Sequence, residues 1–152
     1  MCVVLLCLLA MQAVAKDTSS PFQRLDSLVK CHNSLVAAKQ QRIEALKAKR
    51  PDAQSPVETY DFNARLSDEY AEFQNDSALV YAKRNIDIAA ALNDRTRLTD
   101  SKLKTMHLLT KAYLLDETVG MAEQLDTAAM SHEQLQLYYK VLSDIYHFKV
   151  EF

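Results

Sequence analysis

Glycine and proline are scarce in this sequence, and tryptophan is absent. Its 152 residues include one glycine and three prolines, whereas β-sandwiches and doubly wound α/β sheets need glycine in many of their turns. Alanine and leucine, which have high helix propensity, are abundant instead. This composition predicts an all-α protein, and the length is sufficient for one domain with a substantial core.

Cysteine is also scarce, which limits the chemistry that the chain can support. Cys2 and Cys7 lie in an N-terminal apolar run, so Cys31 is the only cysteine in the rest of the sequence. One cysteine forms neither an internal disulfide framework nor a thiolate metal site. The single glycine, Gly120, excludes a glycine-rich phosphate-binding loop.

Motifs that resemble catalytic or metal sites are incomplete. His132 and Glu133 begin like the HExxH motif of zinc proteases, but Gln136 stands where the second zinc ligand is required. Cys31 and His32 are adjacent and would point in different directions on a helix, so they do not form a nucleophile–base pair. The sequence therefore predicts a protein that is not an enzyme and has no metal or cofactor.

The first fifteen residues, MCVVLLCLLAMQAVA, form an apolar run that is too short to span a bilayer comfortably. The run ends in a small-x-small pattern at Ala13 to Ala15, which is typical of a cleaved secretory signal peptide. The lack of Lys and Arg before it argues against a signal peptide unless the start codon is misplaced, and a retained N-terminal anchor is the alternative. We expect 1–15 to be a signal peptide and the protein to be exported to the periplasm or cell envelope. Membrane association is expected only if this segment is retained or the chain is part of a longer protein.

Charge is unevenly distributed along the rest of the chain. Residues 16–50 contain eight Lys/Arg and three Asp/Glu, a net charge of +5, whereas residues 51–152 contain ten and seventeen, a net charge of −7. An acidic body argues against a nucleic acid partner. We expect the basic N-terminal helix within 16–50 to pack on this body, and an anionic membrane surface is the alternative. Its packing face carries Leu25, Leu28, His32, Leu35, Ile43 and Leu46.

Three helix starts are marked by capping boxes, in which a serine is followed three residues later by Gln or Glu. The serines are Ser20, Ser55 and Ser131, and proline follows the first two. These starts and the apolar spacing predict six helices, at 21–49, 56–74, 77–92, 95–115, 118–129 and 132–149. Because the connections are short, successive helices should pack as antiparallel neighbours.

A short motif recurs in alternate predicted helices. Leucine, a small hydroxyl residue, two variable residues and tyrosine occur at 66–70, 109–113 and 142–146, at intervals of 43 and 33 residues. Such spacing is typical of stacked helical hairpins, which bury their apolar faces only against neighbours. The leucine and tyrosine should pack on the second helix, so we expect Tyr113 to be essential for folding. Small residues of the second helices should permit close approach, and these are Ala78, Ala122 and Ala129.

These features resemble the tetratricopeptide repeat, in which leucine, a small residue and tyrosine on one helix are followed by alanines on the next. Asn85 departs from this pattern, because it stands where a small alanine is expected. The resemblance implies an all-α stack of antiparallel helical hairpins, which is a short tetratricopeptide-like solenoid with a long N-terminal helix. We expect this repeat domain to comprise 51–152.

A second resemblance is carried by the runs RLDSLV, KQQRIEALK and EYAEFQNDSALVYAKRN. They are similar to a family of exported bacterial proteins with tetratricopeptide-like repeats and a domain of unknown function. Members are longer chains with a signal peptide, helical repeats, a transmembrane helix and a cytoplasmic helical tail suggestive of signalling. The resemblance covers about 22–125 and implies no catalytic residues.

In tetratricopeptide hairpins the first helices line a concave groove that binds peptides or partner helices. Mapping the motif onto this chain predicts a set of polar side chains on that face: Asp61, Asp68, Lys104, His107, Lys111, Lys140, Asp144 and His147. Their mixed charges suit a polar or charged peptide, and the histidines would make binding pH-dependent if they lie close together. A solvated helix face without a partner is the alternative.

The sixth predicted helix has apolar residues on several sides, including Tyr139, Leu142 and Tyr146. We expect a second interface there, formed with a partner or in a homodimer. The predicted function is therefore non-catalytic protein–protein interaction. One alternative is the exported sensor half, or a fragment, of a membrane-spanning signalling regulator. Another is a structural bundle that self-associates through the first and sixth helices.

Overall fold

The computed structural model describes residues 20–49 and 55–151. The predicted signal peptide, 1–15, and the linker at 51–54 lie outside these residues. The described residues form helices and turns without a β-strand, which confirms the all-α class. They belong to two compact units, one that ends at Ala38 and one that begins at Lys39.

Six α-helices lie within the described residues, in the predicted order. They are α1 (Pro21–Ala48), α2 (Pro56–Tyr70), α3 (Asn75–Ala91), α4 (Arg95–Lys111), α5 (Leu115–Ala122) and α6 (His132–Glu151). A short 3₁₀ helix, Thr127–Ala129, lies between α5 and α6. None of the described helices is both long and apolar enough to cross a membrane.

All three predicted capping boxes form, so these helix starts follow from local sequence. In the box at α2, the Ser55 amide donates to Glu58 Oε2 at 2.8 Å, and the Glu58 amide donates to Ser55 Oγ at 3.2 Å. These bonds satisfy amide groups that a helix start leaves without partners. Pro56 occupies the first helical position, where an amide hydrogen is not needed.

The helix predicted at 95–115 ends earlier than expected, at Lys111, because the chain turns at Tyr113. The helix predicted at 118–129 instead begins at Leu115 and ends at Ala122, and the 3₁₀ helix Thr127–Ala129 follows. Tyr113 has a left-handed φ of 59°, and the next amide, that of Leu114, donates to the Leu109 carbonyl at 3.0 Å. The arrangement is a Schellman motif, which ends many helices and usually places Gly or Asn at the left-handed position. Since tyrosine is rare there, the sequence carried little signal for this helix end.

The second unit is built from helical hairpins, which confirms the tetratricopeptide-like fold. Helix α2 packs on α3, α3 on α4, and α4 on both α5 and α6. In the first hairpin, Ala78 and Ala82 of α3 are almost fully buried with Leu66 and Ser67 of α2. The two helices approach closely at this point, because Ser67 Oγ of α2 donates a hydrogen bond to the Ala78 carbonyl of α3 at 3.0 Å.

The three motif tyrosines differ in burial, so their predicted common role is wrong for two of them. Tyr70 is 5 % exposed, whereas Tyr113 is 62 % and Tyr146 is 72 % exposed. Tyr113 lies in the turn beyond α4 instead of on its buried side. Ala129 is exposed in the 3₁₀ helix, so it does not provide the close helix contact expected of it, whereas Ala122 is 5 % exposed and does.

The C-terminal part of α1 belongs to the second unit and packs there. Ile43 is fully buried in the same apolar cluster as Leu66 and Tyr70, and Lys39 Nζ lies 2.7 Å from Glu69 Oε2. The basic helix therefore packs on the acidic body over this part of its length, as predicted.

The N-terminal part of α1 lies in the first unit and has a different character. Leu25, Leu28 and Leu35 are 55 %, 68 % and 64 % exposed, so the apolar face predicted for them is not buried. A helical pattern predicts which side of a helix is apolar, but it does not identify a neighbour that covers that side. Cys31, also on this part, is a free and exposed cysteine.

Candidate protein-binding face

The first helices of successive hairpins, α2, α4 and α6, are joined by side chains. Lys104 Nζ on α4 lies 2.6 Å from Asp68 Oδ1 on α2. One turn earlier on the same side of α4, Asp100 Oδ1 accepts a hydrogen bond from Gln134 Nε2 of α6 at 2.7 Å. Helix α4 therefore lies between α2 and α6, and the polar sides of the three helices are neighbours.

We define the first-helix face as the ionisable side chains on this polar side: Asp68, Glu72, Lys104, His107, Lys111, Lys140 and Asp144. Three of its ion pairs are short. Besides the pair between Lys104 and Asp68, Lys111 Nζ lies 2.8 Å from Glu72 Oε1 and Lys140 Nζ lies 2.8 Å from Asp144 Oδ2. Helical spacing of three or four residues aligns the members on each helix.

Lys111 is held more firmly than an ordinary surface lysine. Its Nζ donates to the Ala71 carbonyl at 2.8 Å as well as to Glu72, so it bonds the C-terminal end of α2. This contact lowers the pKa of Glu72. The lysine therefore contributes both to the charge of the face and to the junction between the first two hairpins.

His107 lies half-buried near the middle of the first-helix face. Burial, and then the positive charges of Lys140, Lys104 and Lys111, lower its pKa from the ordinary value of 6.5, against an opposing effect of Asp144. The imidazole is therefore neutral near pH 7, and its buried Nδ1 has no hydrogen-bond partner. The structure thus brings six of the predicted residues into one neighbourhood.

The two remaining predicted residues lie towards the ends of this region. Asp61 is exposed near the start of α2, and its charge adds to the hydrogen bond with Asp94 that mainly raises the pKa of Arg97. His147 is exposed near the end of α6, with its ring centroid 6.1 Å from that of Phe148. The pH dependence that would follow if His147 and His107 lay close together remains a prediction.

Sequence reasoning missed two acidic residues that help to organise the face. Glu72 holds Lys111, and Asp100 holds Gln134 of the next first helix. Both carry a detectable signal, because Glu72 lies four residues after Asp68, and Asp100 lies four residues before Lys104. Spacing of four places Asp100 and Lys104 on one side of α4, and Glu72 would share a side with Asp68 in the helix predicted at 56–74, although it lies in the turn just after α2.

Asn85, the departure from the repeat pattern, joins the first hairpin internally. It is 3 % exposed, and its Nδ2 donates to the Tyr60 carbonyl at 2.9 Å. The Tyr60 hydroxyl in turn donates to the Arg97 carbonyl at 3.1 Å and lies 3.1 Å from Ser101 Oγ. A cavity of about 170 Å³ adjoins these groups beside the first-helix face. Polar bonds thus replace the expected alanine contact.

In the part of the chain that the structure describes, no group of three His, Cys, Asp or Glu side chains is placed to hold a metal ion.

Comparison with known proteins gives one result. The model of a family described as the SusR N-terminal TPR domain, where TPR denotes the tetratricopeptide repeat, matches residues 29–151. No curated protein and no solved structure matches the chain.

Proposed function

This chain belongs to the family of the SusR N-terminal TPR domain, and we propose that it binds a charged peptide segment of a partner protein through its first-helix face. TPR domains are non-catalytic scaffolds for protein–protein interaction. The observation that carries the proposal is the strip of paired charges around His107, in which an acidic row from α2 and the turn after it, a basic row on α4 and a mixed pair on α6 lie side by side. Asp61 and His147 extend the proposed binding region at its ends.

The charges of this strip favour specificity over raw affinity. Each of its lysines already has a carboxylate partner, so a bound peptide must exchange or share these ion pairs. Exposed pairs of this kind are worth about 0–1 kcal/mol each, so exchanging them is not costly. A partner with charges in the complementary order is therefore favoured, and one with like charges in those positions is rejected.

A charge-swap experiment tests the role of the face without removing its ion pairs. Peptides are selected from a random library on the wild-type protein, and their affinities are then measured for a double variant, Asp68→Lys with Lys104→Asp. The variant retains an ion pair between α2 and α4 but reverses its direction. We expect the selected peptides to bind it about tenfold more weakly, because complementary charges become like charges.

A matched control exists on the second helices. Lys83 of α3 and Glu117 of α5 form a similar exposed pair, with Lys83 Nζ 3.0 Å from Glu117 Oε1. The swap Lys83→Glu with Glu117→Lys should leave peptide affinity unchanged. If both swaps weaken binding equally, or neither does, the first-helix face is not the binding surface.

The cellular location and the domain limits are part of the same proposal. We place the scaffold in the bacterial periplasm or envelope, with 1–15 as a signal peptide, a basic helix at 16–50 and the repeats at 51–152. Support comes from the apolar N-terminal run and from its small-x-small end. The intact mass of the native protein from fractionated cells tests this, because cleavage leaves a chain that begins at Lys16.

Self-association is a second candidate function, favoured by an exposed apolar stripe on α6. Tyr139, Tyr146 and Val150 are 60 %, 72 % and 83 % exposed. They lie on one side of α6 because they are seven and four residues apart. In the first hairpin the equivalent motif residues, Leu66 and Tyr70, are covered by α3. A homodimer through α6 would cover the stripe in the same way.

Sedimentation of the purified protein tests the homodimer. A Cys31→Ser background prevents an exposed cysteine from linking chains by a disulfide. Tyr146→Glu should convert a dimer to a monomer, whereas Val80→Glu, a change at another exposed apolar residue, should not. A monomer at every concentration in the parent protein refutes self-association and leaves peptide binding untouched. A sensor half of a membrane-spanning regulator remains an alternative context for the same scaffold.

A further inference from the structure

A cavity of about 570 Å³ lies on the first hairpin, away from the proposed peptide surface. Its walls come from the end of α1, from α2 and from α3, and they include Phe62, Leu66, Tyr81 and Ile88. This volume lies within the range of about 300–1,000 Å³ that is typical of small-molecule sites. The cavity therefore has the size and apolar walls that a small ligand requires.

Asn63 supplies an unused polar group in this wall. The residue is 6 % exposed and lines the cavity, and its amide group is not among the fully buried groups without a partner, so it is accessible from the cavity. A carboxamide has two donor hydrogens and one acceptor oxygen, which a ligand in the cavity can reach. An amide group of a ligand could accept a hydrogen bond from the Asn63 amide and donate one to its oxygen.

Two opposite charges complete the lining. Arg84 and Asp87 are three residues apart on α3 and both line the cavity. Arg84 is held over the Tyr81 ring, with its guanidinium carbon 5.4 Å from the ring centroid. Neither side chain forms an ion pair with a described residue, so both keep their hydrogen-bonding capacity for a ligand.

We propose that this cavity binds a free short peptide with an apolar side chain, in its zwitterionic form. The carboxylate of the ligand pairs with Arg84, whose planar guanidinium matches a carboxylate in two parallel hydrogen bonds. The ligand ammonium pairs with Asp87, and its peptide bond exchanges hydrogen bonds with Asn63. The apolar side chain contacts Phe62 and Ile88.

The combination of groups favours a zwitterionic ligand over simpler ones. A plain carboxylate would be repelled by Asp87, and a plain amine by Arg84. A purely apolar molecule would bury Asn63 without a partner, which is unfavourable. Lys47, the other cation in the lining, pairs with Glu44 and lies over the Tyr70 ring. Since such an exposed pair is exchanged at little cost, Lys47 adds a second positive charge that favours the ligand carboxylate.

Isothermal titration of the full chain with glycyl-phenylalanine tests the proposal. Blocking either end of this dipeptide, by N-acetylation or by C-terminal amidation, should weaken binding about tenfold, since each block removes a charge-assisted pair. Absence of measurable binding by the free dipeptide overturns the proposal. Equal binding of a dipeptide blocked at both ends also overturns it, because the site would then accept an internal segment of a protein.

Variants locate the bound dipeptide. Asn63→Ala and Arg84→Gln should each weaken binding about tenfold, whereas Arg65→Gln, an exposed position of α2 outside the cavity, should not. Thermal unfolding of each variant shows whether a loss of dipeptide affinity comes from misfolding. Because Arg84 is exposed, Arg84→Gln changes the cavity without changing the core. If Arg65→Gln weakens binding as much as Arg84→Gln, the dipeptide does not bind in this cavity.

Discussion

Replacing Tyr70 and Tyr113 by alanine, one at a time, tests which motif tyrosine stabilises the fold. Tyr70 is 5 % exposed, its ring stacks on that of Tyr81 at 5.8 Å, and Lys47 Nζ lies 5.7 Å from its centroid. Tyr113 is 62 % exposed, and its ring centroid lies 4.8 Å from that of Phe148. Although both tyrosines occupy the same position of the motif, their different burial predicts very different losses of stability on replacement by alanine.

The expected magnitudes follow from these surroundings. Removal of a buried aromatic side chain costs about 3–5 kcal/mol, which includes the cavity that remains. Loss of one exposed ring contact costs about 1 kcal/mol. For a chain of this size, 1 kcal/mol corresponds to a shift in Tm of about 2–4 °C. Tyr70→Ala should therefore lower Tm by about 6–20 °C, and Tyr113→Ala by less than about 4 °C.

Circular dichroism during heating and in urea measures both changes. Tyr113→Gly provides an internal check, because glycine adopts the left-handed φ of 59° without the steric cost that a Cβ imposes. It should be about 1 kcal/mol more stable than Tyr113→Ala. If Tyr113→Ala destabilises as much as Tyr70→Ala, the assignment of Tyr113 to an exposed turn is wrong.

Three further predictions concern single residues. Burial and the neighbouring lysines hold the pKa of His107 below 6.5 in the folded state. The unfolded chain therefore takes up this proton at a higher pH than the folded chain does. The contribution of His107 to the free energy of unfolding should be full above pH 6.5 and should decrease as the pH falls below 6.5. His107→Gln should flatten this part of the dependence in urea unfolding between about pH 5 and pH 7, and an unchanged slope would contradict the assignment. Gly120 lies within α5 with open space at its Cβ position, so Gly120→Ala should raise the free energy of unfolding by about 0.5–1 kcal/mol, whereas a lower Tm would reveal a contact that the fold does not show. Ser55→Ala removes a capping box and should cost about 1 kcal/mol in the same assay, and a neutral result would mean that the start of α2 frays in solution.

The charged face was largely predictable, because the motif at 66–70 sets the register of α2, and helical spacing then orders the side chains of α4 and α6. What could not be predicted is which groups pair across helices. Lys111 bonds Glu72 and the Ala71 carbonyl, which depends on where the end of α2 meets the end of α4. The cavity beside Asn63 is a similar case, because it exists only where three helices leave space between them.

Local sequence alone determined the starts of α1, α2 and α6, since a serine and a Gln or Glu three residues later bond the same backbone amides wherever the helix lies. It also determined the all-α class, through helix propensity and the lack of glycine. Only the tertiary structure decided which apolar side chains are buried. Leu66 and Tyr70 are covered because α3 lies against them, whereas Tyr146, in the same motif, is exposed. A side chain is buried only where a neighbouring helix covers it. A repeated motif specifies the side chains on its own helix but not the helix that packs against them.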